Sequence, residues 1–160
     1  MNYELHRLPK NDIYTRLETL LSRHIPAPIE ILRTKNGKPY VAGNPVYFSV
    51  SHSRDIGVIA ISNDPVGVDL EIISGKRHDS VLSRFSAREK SEISSERDFL
   101  VHWTAREAFV KTRGYALFNV FARLEYFGGN IYFDGELQKA EITFHADGNE
   151  ICAVCTEKKI

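Results

Sequence analysis

The chain has 160 residues, 42% of them apolar and 26% charged, which allows one globular domain or two small lobes that share a core. Its 21 basic residues balance its 21 acidic ones, so the net charge gives no reason to expect nucleic acid or a membrane as partner, and any anion site must be local. No apolar run could span a bilayer and the first ten residues lack the apolar core of a signal peptide, so we expect a cytoplasmic protein.

The first part of the chain predicts a helix, a short strand and a turn. The helix runs from Asp12 to Arg23, because its apolar residues follow helical spacing and Asn11 or Asp12 can cap it. Pro26 ends it, and a short strand at residues 29–32 leads into a turn at residues 36–39. Three basic side chains cluster around this turn: Arg33, Lys35 and Lys38. Taken alone, they indicate a solvated loop.

Three predicted strands follow this turn. They cover residues 46–51, 57–61 and 66–71, and the turn Asn63-Asp64-Pro65 precedes the third strand. The segment from Ser51 to Ser53 is predicted to be a tight loop after the first strand. Its histidine, His52, is either structural or a hydrogen-bond donor to a phosphate.

The third of these strands carries two carboxylates. Its apolar residues alternate with polar ones, so Asp69 and Glu71 lie on the same face. A helix predicted from about Phe99 to Lys111 adds Glu107, which lies four residues before Lys111 and is therefore its neighbour. The three acids form either a solvated face or the oxygen ligands of a hard divalent cation such as Mg²⁺.

The remaining elements are a capped helix and C-terminal strands. The pattern Ser86-Ala-Arg-Glu89 is a capping box, so a helix begins near Ser86. From Leu124 onward, short alternating runs separated by turns predict an antiparallel meander. Cys152 and Cys155 lie in its last strand, three residues apart and therefore on opposite faces. We expect core residues there, not a zinc site or a disulfide.

Three segments together resemble the signature of the 4'-phosphopantetheinyl transferases: SVSHS at residues 49–53, GVDLE at 67–71 and WTAREAFVK at 103–111. Each segment alone is weak evidence for the family, but the three segments in the family's order are a specific signature. The first is similar to a motif of the larger, surfactin-type members, which have two similar lobes with the substrate between them. The resemblance covers about residues 36–117.

The resemblance implies an α+β fold of two small lobes, each with a helix or two packed on an antiparallel sheet. Residues 1–65 would form a short N-terminal lobe with coenzyme A contacts, and residues 66–160 a C-terminal lobe with the metal-binding carboxylates. The implied enzyme is a transferase of the holo-[acyl-carrier-protein] synthase type. It would move 4'-phosphopantetheine from coenzyme A to a serine of an acyl or peptidyl carrier protein, as in fatty acid biosynthesis, and release adenosine 3',5'-bisphosphate.

The resemblance also implies roles for individual residues. Asp69, Glu71 and Glu107 would hold Mg²⁺. Glu107, directly or through a metal-bound water, would accept the proton of the carrier serine, and Lys111 would contact phosphate and stabilise the leaving group. The expected coenzyme A contacts are Lys38, Ser51, His52, Arg106 and Lys111, with Ser51 and His52 at the 3'-phosphate.

Two positions depart from the family pattern. Arg106 stands where a lysine is common, and Ser49 stands where an asparagine is frequent. Neither change removes a predicted metal ligand, so the transferase interpretation is kept.

Other functions stay open. A shortened relative could bind coenzyme A or a carrier protein without transferring anything, although a binding module has little need of three carboxylates and Lys111. A generic magnesium phosphohydrolase is a third possibility, but the sequence contains no further motif that would support it. Because residues 51–53 lie only about fifteen residues before Asp69, we expect one chain to form the whole site, in a protein that is a monomer.

Overall fold

The computed structural model describes residues 2–43 and 45–158, which form an α+β fold. The strands are β1 (Tyr3–Pro9), β2 (Ile31–Arg33), β3 (Pro39–Val41), β4 (Tyr47–Ser53), β5 (Ile56–Ser62), β6 (Val66–Ile72), β7 (Leu124–Phe127), β8 (Asn130–Phe133), β9 (Glu136–Leu137), β10 (Ala140–Asp147) and β11 (Glu150–Glu157). The α-helices are α1 (Ile13–Leu21), α2 (Asp79–Leu82), α3 (Ala87–Ser91), α4 (Glu96–Arg113) and α5 (Leu117–Val120).

Two three-stranded antiparallel sheets form the centre of the fold. The first sheet has the strand order β1-β5-β4 and the second has the order β10-β11-β6. Buried residues of both sheets pack together, among them Val58 of β5, Val68 of β6 and Val154 of β11. Strands β7, β8 and β9 form a third sheet, and β2 and β3 form a hairpin. The inner faces of the two central sheets therefore share one apolar layer.

Helix α1 belongs to the core of the first sheet. Ile13, Leu17 and Leu21 are buried in one cluster with Phe48 and Ile59 of the sheet. Their spacing places them on one side of the helix, as the sequence predicted. The predicted helix is confirmed, with slightly shorter bounds.

Helix α4 packs on the second sheet and also on the aromatic residues beyond it. Ala108 and Phe109 share a core with Ala153 of β11, whereas Phe99 packs with Phe85. The Ser95 side chain accepts a hydrogen bond from the amide of Asp98 at the start of the helix. Gly114 follows its last residue with φ of 68°, the left-handed conformation that ends many helices.

The closest approach between α4 and the second sheet is at Gly67. A Cβ atom there would lie 2.0 Å from the carbonyl oxygen of Ala108 and 2.5 Å from the amide nitrogen of Thr112. No side chain fits in this space, so glycine is required. The contact places the face of β6 that carries Asp69 against α4.

Some predicted elements are confirmed and others need correction. The capping box at Ser86 is present, with both of its reciprocal hydrogen bonds. The sequence predicted no strand before Asp12, yet β1 pairs with β5 along its whole length. Residues 51–53 belong to β4 and not to a loop; the turn follows at Arg54, where φ is 53°.

The C-terminal strands also differ from a simple meander. Strand β11 lies between β10 and β6, so the second sheet joins the end of the chain to its middle. Such a pairing depends on strands that are distant in sequence, and local alternation does not reveal it. The division of the chain into lobes at residues 65 and 66 stays a prediction.

The two cysteines are buried on β11 as free thiols. Cys152 packs between the two sheets, and Cys155 packs on the side of α4. Burial raises the pKa of both thiols to about 12, so they stay protonated at neutral pH. The predicted core strand is confirmed.

Of the helices in residues 2–43 and 45–158, none combines the length and apolar character that crossing a membrane requires.

Candidate active site

Asp69 is the most enclosed of the predicted site residues that carry a carboxylate. It lies on β6 and is only 5% exposed. Its Oδ1 atom accepts hydrogen bonds from the ammonium of Lys111 at 2.7 Å and from the hydroxyl of Ser51 at 3.2 Å. Its Oδ2 atom is buried and has no hydrogen-bond partner among the described residues. Hydrogen bonds therefore hold Oδ1 of this carboxylate, whereas Oδ2 is buried and unpaired within the described part of the chain.

Glu71 and Glu107 complete a group of three acids that affect one another. Burial, followed by the negative charge of Asp69, raises the pKa of Glu107 to about 7. The same two causes raise the pKa of Glu71, and burial raises that of Asp69. The positive charge of Lys111 opposes all three shifts. Burial is the largest cause, so each acid is harder to ionise here than in water, and a bound cation would favour its charged form.

The chemistry of these donors suits a cation, although no ion cage is already formed. Within the parts of the chain that the structure describes, no three His, Cys, Asp or Glu side chains surround a common metal position. The donors are nevertheless all carboxylate oxygens, and Oδ2 of Asp69 is buried without a partner. A hard divalent cation such as Mg²⁺ is bound through one or two carboxylates together with water or phosphate oxygens. The three acids therefore match the ligand chemistry of such a cation, although they do not already surround a common position.

A cleft of about 340 Å³ opens beside this group. Glu107 and Lys111 of α4, Ser49 of β4 and the basic turn with Arg33 and Lys38 all line it. Two other cavities, of about 420 and 1020 Å³, contain none of the predicted site residues. The smaller cleft is therefore the one that joins Glu107 and Lys111 to the basic turn.

Lys38 lies at this cleft, but its ammonium is already engaged. It donates to the carbonyl oxygens of Lys111, of Thr112 at 3.3 Å and of Val66 at 3.4 Å. Two of these carbonyls belong to the last turn of α4, where cations are favoured. Burial, together with the nearby charge of Lys111, lowers the pKa of Lys38 to about 8. A phosphate would have to compete with three carbonyls for this side chain.

Ser51 and His52 are adjacent on β4 but have different surroundings. The Ser51 hydroxyl is buried, donates to Asp69 and accepts from the amide of Leu70. His52 is exposed. The structure thus places His52 where a ligand can reach it, whereas the predicted phosphate contact of the Ser51 hydroxyl does not match its position.

The structure places Arg106, a predicted coenzyme A contact, in the core and away from the cleft. Arg106 is 1% exposed, and its guanidinium donates to both carboxylate oxygens of Glu89, at 3.0 and 2.9 Å. Its charge also lies over the rings of Phe85 and Phe121. All of these contacts point into the core formed with α3, so the side chain is not available to a ligand.

The sequence pattern did not reveal two buried contacts, one in the core beneath α4 and one at the site. Glu89 was recognised as part of a capping box, but not as the partner of Arg106. Ser49 was noted only as a departure from the family pattern, although its hydroxyl accepts a hydrogen bond from the amide of Val68 at 3.1 Å. The alternation of serines with apolar residues on β4 was the one available signal for the second contact.

Comparison with known proteins agrees with the three sequence motifs. The model of the 4'-phosphopantetheinyl transferase superfamily matches residues 65–158. The 4'-phosphopantetheinyl transferase AcpT of Salmonella typhi is 36% identical over 105 residues, which cover 59% of this chain and 55% of that protein. A 4'-phosphopantetheinyl transferase of Bacillus subtilis is 30% identical over 138 residues, covering 82% of this chain and 58% of its own length. That of Bacillus pumilus is 35% identical over 167 residues, covering 90% and 71%.

The match thus spans little more than half the length of the first two of these relatives. The Bacillus relatives fit the resemblance to surfactin-type members. On this family match and these similarities, the chain belongs to the 4'-phosphopantetheinyl transferase superfamily.

Proposed function

We propose that this chain transfers 4'-phosphopantetheine from coenzyme A to a serine of an acyl or peptidyl carrier protein. The observation that carries the proposal is the group of three buried or half-buried acids, Asp69, Glu71 and Glu107, next to a cleft that Glu107 and Lys111 line. Membership in the superfamily supports it, because the similar proteins are named as such transferases.

The reaction exchanges one phosphorus–oxygen bond for another. The serine oxygen bonds to the phosphorus that carries pantetheine, and the bond from this phosphorus to the bridging oxygen of the diphosphate breaks. Adenosine 3',5'-bisphosphate leaves, and the serine proton must be accepted by a base. Positioning and charge neutralisation supply most of the catalysis in chemistry of this kind.

Glu107 is the base in this proposal. Burial and the charge of Asp69 raise its pKa to about 7 in the protein without a cation; with a cation bound, Glu107 would accept the serine proton directly or through a metal-bound water. Lys111 is held beside Asp69 by its hydrogen bond and lines the cleft, so its ammonium can contact the phosphates of the donor. The two residues lie one helical turn apart on α4, which fixes their spacing.

Asp69, Glu71 and Glu107 would hold a divalent cation, which we propose to be Mg²⁺. When bound, this ion would offset the negative charge of the diphosphate. The unpartnered Oδ2 of Asp69 and the raised pKa values of all three acids support this assignment.

The exposed His52 would contact the 3'-phosphate of coenzyme A, and Lys38 would line the donor cleft. Basic residues near α2 and α3 form a candidate docking surface for an acidic carrier protein: Lys76, Arg77, Arg84, Arg88 and Lys90. Because one chain brings Asp69 and Glu107 together, we propose a monomer with a self-contained site.

The test is incubation of the protein with coenzyme A, Mg²⁺ and an apo carrier protein, followed by measurement of the intact mass of the carrier. We expect the carrier to gain one phosphopantetheine group and adenosine 3',5'-bisphosphate to appear in equal amount. Glu107→Gln, which keeps the size of the side chain, is the matched control and should give no gain. Binding of coenzyme A without a gain in mass, across acyl and peptidyl carriers, would instead indicate a binding module.

A further inference from the structure

The open edge of β6 is paired by side chains and not by another strand. Strand β6 is an edge strand of the second sheet. The amide and carbonyl groups of every second residue therefore point away from β11. The amide of Val68 donates to the hydroxyl of Ser49, and the amide of Leu70 donates to the hydroxyl of Ser51, both at 3.1 Å. Both serines lie on β4. We call these two contacts the β4–β6 seam.

Lysines satisfy carbonyl groups on the same edge. The ammonium of Lys111 donates to the carbonyl of Val68 at 3.1 Å, and that of Lys38 donates to the carbonyl of Val66 at 3.4 Å. Buried backbone groups need partners, and here two serines and two lysines supply them. The position of this part of β6 therefore depends on side chains that come from β4, α4 and the basic turn.

Ser51 also acts on the side chain of Asp69. Its hydroxyl donates to Oδ1 while it accepts from the amide of Leu70. Lys111 binds the same Oδ1 atom from α4. Because one oxygen is held from two directions, rotation of the carboxylate is restricted and Oδ2 keeps a defined position. One hydroxyl thus sets both the backbone and the carboxylate orientation at Asp69.

We propose that Ser49 and Ser51 are positioning residues: they pair the open edge of β6 and so fix the orientation of the Asp69 carboxylate in the site. This inference rests on the proposed transferase activity. It assigns a role to Ser49, and it assigns Ser51 a role that requires no contact with phosphate. A group that only positions the carboxylate should affect turnover more than donor binding.

The first measurement is hydrogen exchange of single backbone amides by NMR, which does not depend on activity. Ser49→Ala should speed exchange at Val68, and Ser51→Ala should speed exchange at Leu70, each by about tenfold or more because a buried hydrogen bond is lost. Ser51→Thr keeps a hydroxyl and should restore slow exchange at Leu70. Because each variant is expected to affect a different amide, the pattern remains testable if one of the variants fails to fold.

The second measurement separates positioning from phosphate binding. Ser51→Ala should lower kcat by about tenfold or more and leave the KM values for coenzyme A and dephospho-coenzyme A within about twofold. Ser62→Ala is the matched control. Ser62 is also buried, donates one hydrogen bond and accepts one, but lies on β5 away from the acids. Loss of the Ser62 hydroxyl should leave kcat and the exchange rate of the Leu70 amide unchanged.

Three outcomes would overturn the proposal. Unchanged exchange at Val68 and Leu70 in the alanine variants would show that the seam does not protect these amides. A rise in KM for coenzyme A alone in Ser51→Ala would place Ser51 at the 3'-phosphate. Equal losses of kcat in Ser51→Ala and Ser62→Ala would indicate a general structural effect. A wild-type protein without transferase activity would reject the proposed function, while the exchange measurement would still test the seam.

Discussion

Replacing Glu89 by alanine should destabilise the protein strongly, because it leaves the charge of Arg106 buried without a counter-charge. Glu89 is 0% exposed and Arg106 is 1% exposed. The carboxylate receives two hydrogen bonds from the guanidinium, and its Oε1 atom accepts a third from the amide of Tyr126 at 2.9 Å. The substitution therefore removes the partner of a buried cation and of a buried amide together.

The expected loss follows from the burial of this pair. Breaking a buried, hydrogen-bonded ion pair by removing one partner costs about 3 to 5 kcal/mol in the free energy of unfolding. With an m-value of about 2 kcal/mol/M, the urea midpoint should fall by about 1.5 to 2.5 M. Glu125→Ala is the matched control, since it breaks the more exposed pair with Arg88 and should shift the midpoint far less.

A double variant tests the reasoning further. Glu89→Leu combined with Arg106→Met removes both charges and keeps much of the volume, so it should recover a large part of the stability lost in Glu89→Ala. It should also retain the KM for coenzyme A, because Arg106 does not reach the cleft. A Glu89→Ala protein as stable as the wild type, or a double variant with normal stability and a greatly raised KM, would refute this account.

The pH dependence of this effect has a definite sign. Burial alone raises the pKa of Glu89, but the nearby His102 ring, whose Nδ1 lies 3.8 Å from Oε1, the charge of Arg106 and hydrogen bonds from Tyr126 and Arg106 outweigh it and lower the pKa below the ordinary value of 4.5. The stabilisation is therefore complete above pH 4.5 and is lost as the pH falls through the lower, folded-state pKa. The difference in urea midpoint between wild type and Glu89→Gln should shrink over that acidic range.

Five further predictions concern packing, chemistry and assembly. Gly67→Ala should lower the stability by about 3 kcal/mol or more in urea unfolding, because the new methyl group would overlap the backbone of α4; normal stability would contradict the close approach. Glu107→Gln should reduce turnover by about a hundredfold or more and should raise the urea midpoint at neutral pH, because it replaces a buried carboxylate whose pKa is raised to about 7 with a neutral group. Excess chelator should likewise abolish turnover, and equal rates in chelator and Mg²⁺ would reject the cation. His52→Ala should weaken the binding of coenzyme A by about tenfold and that of dephospho-coenzyme A much less, as measured by calorimetry. Equal losses of affinity for both ligands would indicate a structural role for His52. Co-expressed His52→Ala and Glu107→Ala chains should show no recovered activity, since recovery would mean that one chain completes the site of another.

The local patterns in the sequence were sufficient to predict the local geometry of the candidate site. Alternation along residues 66–71 predicted that Asp69 and Glu71 share a face, and helical spacing predicted that Glu107 lies beside Lys111. The capping box at Ser86 and the helix end at Gly114 are local signals as well, and the structure contains both. These features depend on residues a few positions apart, so the sequence alone determines them.

Which residues these side chains contact was decided by the tertiary structure. Whether Arg106 reaches a ligand or a buried acid is decided by how α3 docks on α4, and Glu89 lies 17 residues earlier in the chain. Likewise, the partners of Ser51 depend on the position of β4 beside β6. There the Ser51 hydroxyl contacts an amide and a carboxylate that follow 19 and 18 residues later in the chain. A sequence pattern shows which side of an element a residue occupies, whereas only packing shows what lies opposite. The direction of a polar side chain is set by the buried groups that need a partner, and those groups come together only when the chain folds.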